Sequence, residues 1–248
     1  MKNGRHNLFL TTSEGAKLMS TPLNDEPQLK EPISRTDVID HLDDPANALK
    51  HSDAFTFMML EYEAALLAIE TKLYTLVREY NLRYDRNPIE SISTRLKSPD
   101  SIVEKMHRRG LPLSIEVIQH SLTDIAGARV ICSFLDDIYT LADMFEQQED
   151  IDVLVRKDYI ANPKDNGYRS LHLIVNVPIY LTEGRRDVPV EIQFRTIAME
   201  FWATLEHKIK YKKKITNPES VSAELKSCAN LINEIDQRMK SLRRRTID

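Results

Sequence analysis

The chain has 248 residues, 42% of them hydrophobic and 29% charged, enough to bury one sizeable core with appendages. Lysine and arginine total 34 against 38 aspartates and glutamates, so a net charge of -4 excludes a general nucleic-acid or membrane-surface binder, and any anionic ligand must be met by a local basic cluster. Cys132 and Cys228 lie far apart without metal-ligand spacing, which excludes a disulfide framework and a structural zinc site; with a polar start and no apolar run long enough for a bilayer, a cytoplasmic protein with no membrane partner is expected.

Residues 1–50 show no sustained apolar periodicity and carry Pro22, Pro27, Pro32 and Pro45 among many polar residues, so a mobile N-terminal extension is expected. The body follows over residues 51–215. Met59, Tyr62, Leu66, Ile69, Leu73, Leu76 and Tyr80 put one apolar stripe on a long helix that opens near Phe55 and is left behind by Asn87-Pro88. A period of two then marks strands from Ser91 to Lys97, Arg129 to Phe134, Ile151 to Arg156, Tyr168 to Val177 and Val188 to Arg195. Helical stretches are expected near Pro99 to Arg109, Asp136 to Glu146 and Ile197 to Tyr211. Over residues 216–248 a second stripe (Val221, Leu225, Cys228, Ile232, Ile235, Met239, Leu242) predicts a C-terminal helix that packs on its own domain or pairs with another subunit. The class read from these elements is α+β, a mixed central β-sheet flanked by helices, with long helices at both ends of the body. No GxGxxG or GxxxxGK[ST] occurs and there are only six glycines, so neither a Rossmann site nor a P-loop is available.

Three constellations carry chemistry. In Ser93 to Ser101, alternation puts Arg95 and Lys97 on one strand face, Ser98 and Pro99 open a helix that Gly110 closes, and Ser101, Lys105 and Arg108 share a face of that helix. Cations, a hydroxyl and free backbone N–H groups would converge on a polyanion; the ordinary alternative is a solvated basic face. Asp124 stands just before one strand. On another, Val190, Ile192 and Phe194 face one way and Glu191, Gln193 and Arg195 the other. If those strands are neighbours, Asp124 and Glu191 can hold Mg²⁺ with hard oxygens; otherwise each acid is read as a salt-bridge partner. Third, the turn signals Asn162-Pro163 and Asn166-Gly167 present Tyr168 for stacking on a base, with Lys164 and Asn166 offering groups to its edge; Tyr168 as a hairpin aromatic and His172 as a satisfied strand residue are the plainer alternative.

Arg95-Leu96-Lys97, Ser101 to Lys105, Asp124 to Arg129, Asn166 to His172 and Glu191 to Thr196, together with Met199 to Lys208, resemble the synthetase domain of the RelA/SpoT superfamily, and among its members the small alarmone synthetases. The resemblance runs from about Phe55 to the C-terminus. It implies a nucleotidyltransferase-like fold that transfers the β,γ-pyrophosphate of ATP to the 3′-OH of GTP or GDP, giving pppGpp or ppGpp and AMP, with Mg²⁺ as cofactor. By that likeness Arg95 and Arg129 sandwich the adenine, while Lys97, Ser101, Lys105 and Arg108 contact the ATP phosphates. Asp124 is the implied metal ligand, and Glu191 both helps with the metal and acts as general base. Tyr168 stacks on guanine, with Lys164, Asn166, His172 and Gln193 around the acceptor. An unshifted glutamate, with a pKa of about 4.3, is a weak base, so it would act on a hydroxyl acidified by the metal or on one losing its proton late.

The His-Asp motif of the family's hydrolase domain is not found in the sequence, so synthesis without hydrolysis is expected. A homotetramer is implied by the family's small members and permitted by the two stripes. Competing readings are a related nucleotidyltransferase acting on another nucleotide or RNA, and a catalytically silent nucleotide- or RNA-binding module. RNA as a regulator has one feature to rest on, the run Lys208, Lys210, Lys212, Lys213 and Lys214, whose ordinary reading is a solvated face.

Overall fold

The computed structural model describes residues 44–211 and 217–247. The expected mobile extension falls mostly outside them. Its last residues are helical: Pro45–Lys50 forms α1, with the Asp44 carboxylate accepting from the Asn47 backbone N–H and Leu49 fully buried. Helical structure is thus present before residue 50, in a capped turn that docks through one buried leucine.

Helix α2 (Asp53–Tyr84) is the predicted long helix. It buries Phe55, Met58, Tyr62, Leu66, Ile69, Leu73, Leu76 and Tyr80, so Met58 takes the place expected for Met59. Each large side chain removed from water stabilises the fold by about 2 kcal/mol. Strand β1 (Ile89–Leu96) follows, then α3 (Pro99–Arg108), which Ser98 caps by accepting from the Ser101 N–H and Gly110 ends at φ +63°. Helix α4 (Ile115–Ser121) has no counterpart in the predicted elements; Ser114 caps it, and Ile115 and Ile118 are buried. Strand β2 (Ala126–Cys132), α5 (Leu135–Glu146), β3 (Asp152–Asp158), β4 (Leu171–Leu181), β5 (Gly184–Thr196), α6 (Ile197–Tyr211) and α7 (Pro218–Ile247) complete the described chain.

The strands form one mixed sheet in the order β1-β2-β5-β4-β3, with β2 and β5 parallel and the other pairs antiparallel. Alternation gives it two unlike faces. Ala128, Val130, Ile192, Phe194, Leu173 and Val175 are buried in the main core, which also takes in Phe55 to Leu76 of the α2 stripe and the buried apolar residues of α5. Gly127, Arg129, Glu191, Gln193 and Arg195 point the other way, toward α6.

Helix α7 docks differently from the predicted stripe. Its inner face is Leu225, Ala229, Ile232 and Asp236, and Lys240 and Arg243 then pair with Asp136 and Asp137 at the start of α5. Asp236 accepts a 2.7 Å hydrogen bond from Thr196, and Arg86 also pairs with Asp137. An acid and two cations replace apolar residues on the docked face, which turns Ile235, Met239 and Leu242 outward to solvent.

Candidate active site

The register builds the site. Arg95 on β1 lies opposite Gly127 on β2, and Gly127 lies beside Glu191 on β5; two residues along, Arg129 is flanked by Ser93 and Gln193, and His172 on β4 is paired with Gln193. One sheet face thus carries Arg95, Arg129, Glu191, Gln193 and His172 in adjacent rows, while Asp124 enters from the loop before β2. A cavity of about 170 Å³ is lined by Arg95, Asp124, Gly127, Arg129, Glu191 and Gln193. A second, of about 390 Å³, shares Arg95, Arg129 and Gln193 with it and continues past Tyr168 and Arg195 to Glu200, Glu206 and Lys208 on α6. The strands expected to be neighbours are neighbours, and both carboxylates face one cleft.

Each carboxylate is held. Asp124 Oδ2 receives Lys97 at 3.0 Å and Lys105 at 2.7 Å, while its Oδ1 is buried and accepts no hydrogen bond from the protein. Burial raises the Asp124 carboxyl, but the hydrogen bonds and charges of Lys105 and Lys97 outweigh this and hold it below the usual range. Glu191 Oε1 faces His172 Nδ1 at 3.0 Å and its Oε2 accepts from Gln193 Nε2 at 2.9 Å. Here too burial raises the carboxyl, but His172 and then Gln193 lower it by more than burial and Asp124 raise it, so Glu191 is ionised at neutral pH. Among the described residues no group of three or more His, Cys, Asp or Glu is placed to hold a metal alone. The orphaned Asp124 oxygen beside Glu191 nevertheless fits a hard divalent ion of the Mg²⁺ type, which takes one or two carboxylates and fills its other positions from substrate phosphates and water.

The acceptor loop meets the other end of the cleft. Asn166 Oδ1 accepts from the Tyr168 backbone N–H and its Nδ2 donates to Glu206 at 3.2 Å. Lys164 Nζ stands 4.9 Å from the Tyr168 ring centroid. Strand β4 starts at Leu171, not Tyr168, because this turn holds Tyr168 off the sheet. Gly167, at φ +90°, is where α7 approaches: a Cβ there would stand 2.6 Å from that of Ala229. Ser101 sits exposed in the first turn of α3, receiving a hydrogen bond from Ser98 Oγ, and Arg108 is exposed in the last turn, outside the lining of either cavity. Of the basic run, Lys208 lines the cleft, Lys210 pairs with Glu206 at 2.6 Å, and Lys212, Lys213 and Lys214 lie outside the described residues.

Residues 94–216 match the model of a region found in RelA/SpoT proteins. The chain is 45% identical over 186 residues to the GTP pyrophosphokinase YwaC of Bacillus subtilis, covering 75% of this chain and 89% of that one, and 39% identical to the GTP pyrophosphokinase YjbM of the same species, covering 75% and 86%. The chain belongs to the RelA/SpoT family. A crystal structure of the small alarmone synthetase 1 from Bacillus subtilis bound to its product pppGpp superposes on this family member with a TM-score of 0.72 at 36% identity, covering 78% of this chain and 98% of that one. Within the RelA/SpoT frame, sequence reasoning left Arg195 and Glu200 unassigned. Glu200 joins Arg129 at 2.9 Å to Arg195 at 2.6 Å, across the cleft wall. Alternation had already placed Arg195 on the polar face, but nothing in the sequence reports the angle at which α6 returns over the sheet.

Proposed function

We infer that the chain is an ATP:GTP 3′-pyrophosphotransferase, moving the β,γ-pyrophosphate of ATP to the ribose 3′-OH of GTP or GDP and releasing AMP. The observation that carries this is the pair of cavities that meet at Arg95, Arg129 and Gln193, one holding Asp124 and Glu191 and the other reaching Tyr168. A bond forms between O3′ and the β-phosphorus as the bond from that phosphorus to the α-phosphate oxygen breaks, and the 3′ proton goes to Glu191. The names of the relatives and the pppGpp bound by the structural neighbour support the same reading.

Arg95 and Arg129 suit the two faces of an adenine, because guanidinium planes stack on rings. Lys97, Ser101, Lys105 and Arg108 are assigned to the ATP phosphates. Tyr168 takes the guanine, with Lys164, Asn166, His172 and Gln193 around the acceptor. Asp124 and Glu191 would hold Mg²⁺, which when bound supplies charge neutralisation at the phosphates. A carboxylate held below its ordinary range is a weak base, so Glu191 takes the ribose proton late, as the new bond draws charge from the oxygen. Nothing in this chemistry calls for a Ser or Cys nucleophile.

The same reading makes the enzyme cytoplasmic and homo-oligomeric, a tetramer by the family pattern. Support comes from two outward apolar rows, Ile197, Phe201, Leu205 and Ile209 on α6 and Leu231, Ile235, Met239 and Leu242 on α7, all exposed in the single chain. No helix among the described residues is long and apolar enough to cross a membrane.

Incubation with Mg²⁺, ATP and, in turn, GTP, GDP, GMP and transfer RNA, resolved by anion exchange, tests the assignment. AMP and a 3′-pyrophosphorylated guanosine nucleotide should appear with GTP or GDP. ATP consumption with transfer RNA alone would favour the related nucleotidyltransferase instead.

A further inference from the structure

Along the wall of the cleft, five side chains close a hydrogen-bonded ring. Arg195 Nη2 donates to the Tyr168 hydroxyl at 2.7 Å and to Gln193 Oε1 at 2.6 Å. Gln193 Nε2 donates to Glu191 Oε2, and Glu191 Oε1 meets His172 Nδ1. His172 Nε2 lies 2.9 Å from the Tyr168 hydroxyl, which closes the circuit. Both Arg195 and His172 are more than nine-tenths buried, so these contacts are made away from bulk water.

The donor inventory sets the direction around the ring. The Tyr168 oxygen accepts from Arg195 and, at 3.0 Å, from Ser170 Oγ, which uses both of its lone pairs. Its own hydrogen therefore goes to His172 Nε2. That nitrogen being an acceptor, the hydrogen of the imidazole sits on Nδ1 and is donated to Glu191. On the other arm, Arg195 accepts nothing, so it fixes the Gln193 amide with its oxygen toward the guanidinium and its NH₂ toward Glu191. Each oxygen of Glu191 is thus held by a donor whose orientation Arg195 dictates.

We propose that Arg195 is a positioning residue for the pyrophosphoryl transfer, setting the Glu191 carboxylate through Tyr168-His172 on one side and Gln193 on the other. The proposal rests on Glu191 being the base. Glu200 supplies the counter-charge a buried guanidinium needs, from Nη1 at 2.6 Å, and leaves Nη2 to the ring. The Tyr168 hydroxyl then has a task separate from the ring beneath a guanine: it carries orientation from Arg195 to the base.

Lysine and phenylalanine separate this from a purely structural role. In Arg195→Lys the charge still meets Glu200, but one ammonium cannot reproduce the fork that reaches Glu200, Tyr168 and Gln193 together. We expect it to melt like wild type, to keep KM for ATP within about twofold and to lose about 100-fold in kcat, the usual effect of a reacting group displaced by about 1 Å. Tyr168→Phe keeps the stacking ring and should lose about tenfold in kcat with KM for GTP within about threefold, while the double variant is no worse than Arg195→Lys by more than about twofold, since both break one ring. Wild-type kcat in Arg195→Lys, a loss confined to KM for GTP, or losses that multiply in the double variant would overturn the proposal. Glu191→Gln in the same assay tells the two failures apart: if it stays active the base assignment itself fails, and if it is inactive while Arg195→Lys is not, the ring alone does.

Discussion

The two oxygens of Asp124 have different partners. Oδ2 takes Lys97 and Lys105, while Oδ1 is buried with no donor from the protein. An unmatched buried oxygen costs about 1–3 kcal/mol, a cost a cation in the cleft would remove. The two lysines are the same ones assigned to the ATP phosphates, so carboxylate and triphosphate compete for them. Asp124→Asn removes the competitor. Measured calorimetrically without divalent metal, ATP should bind the Asn variant at least as tightly as wild type; binding weakened by more than about tenfold, or 1.4 kcal/mol, would contradict the phosphate role of the lysines. Spacing in the chain was enough to place Arg95 on one strand's polar face and Glu191, Gln193 and Arg195 on another's. What Glu200 joins was not legible, because an ion pair between α6 and the sheet depends on a helix angle that no local pattern encodes.

Capping decided α3 in advance: Ser98, Pro99 and Gly110 bracket it as their chemistry requires. The same rule applied at Ser114 would have found α4, but a helix of seven residues leaves little periodicity to notice. Helix α7 was legible as a helix and misread in its facing, because its docked side turns on Asp236 and on Lys240 and Arg243, which a search for apolar repeats passes over. Asp236 is also a titratable joint. Burial raises its carboxyl above the ordinary range, and the Thr196 hydrogen bond offsets only part of that. The folded chain then holds this proton more tightly than the unfolded chain does, so ionisation opposes folding at neutral pH, and the opposition fades as pH falls through the folded value toward the ordinary carboxylate range. Asp236→Asn keeps an acceptor for Thr196 and cannot ionise. It should melt above wild type near neutral pH, with the gap closing by about pH 4; a gap of constant size across that range would contradict the assignment.

At the scale of the whole molecule, one sheet keeps its apolar face for α2 and α5 and gives its polar face to the chemistry. The order of strands was the part no sequence pattern held: that β2 and β5 lie side by side is what brings Asp124 and Glu191 together. Of the two stripes read from the sequence, the one on α2 is spent on the core, while the docked pose of α7 leaves Ile235, Met239 and Leu242 exposed; the exposed row on α6 was not read as a stripe. Replacing Leu231 and Met239 by aspartate should lower the assembly state seen in sedimentation equilibrium, whereas an unchanged mass would remove α7 from the interface. The central claim concerns the acid between the two nucleotide seats, and Glu191→Gln tests it most directly. With ATP and GTP both saturating, AMP formation should fall by about 10³-fold while ATP affinity stays within about twofold of wild type. AMP released at close to the wild-type rate would contradict the account.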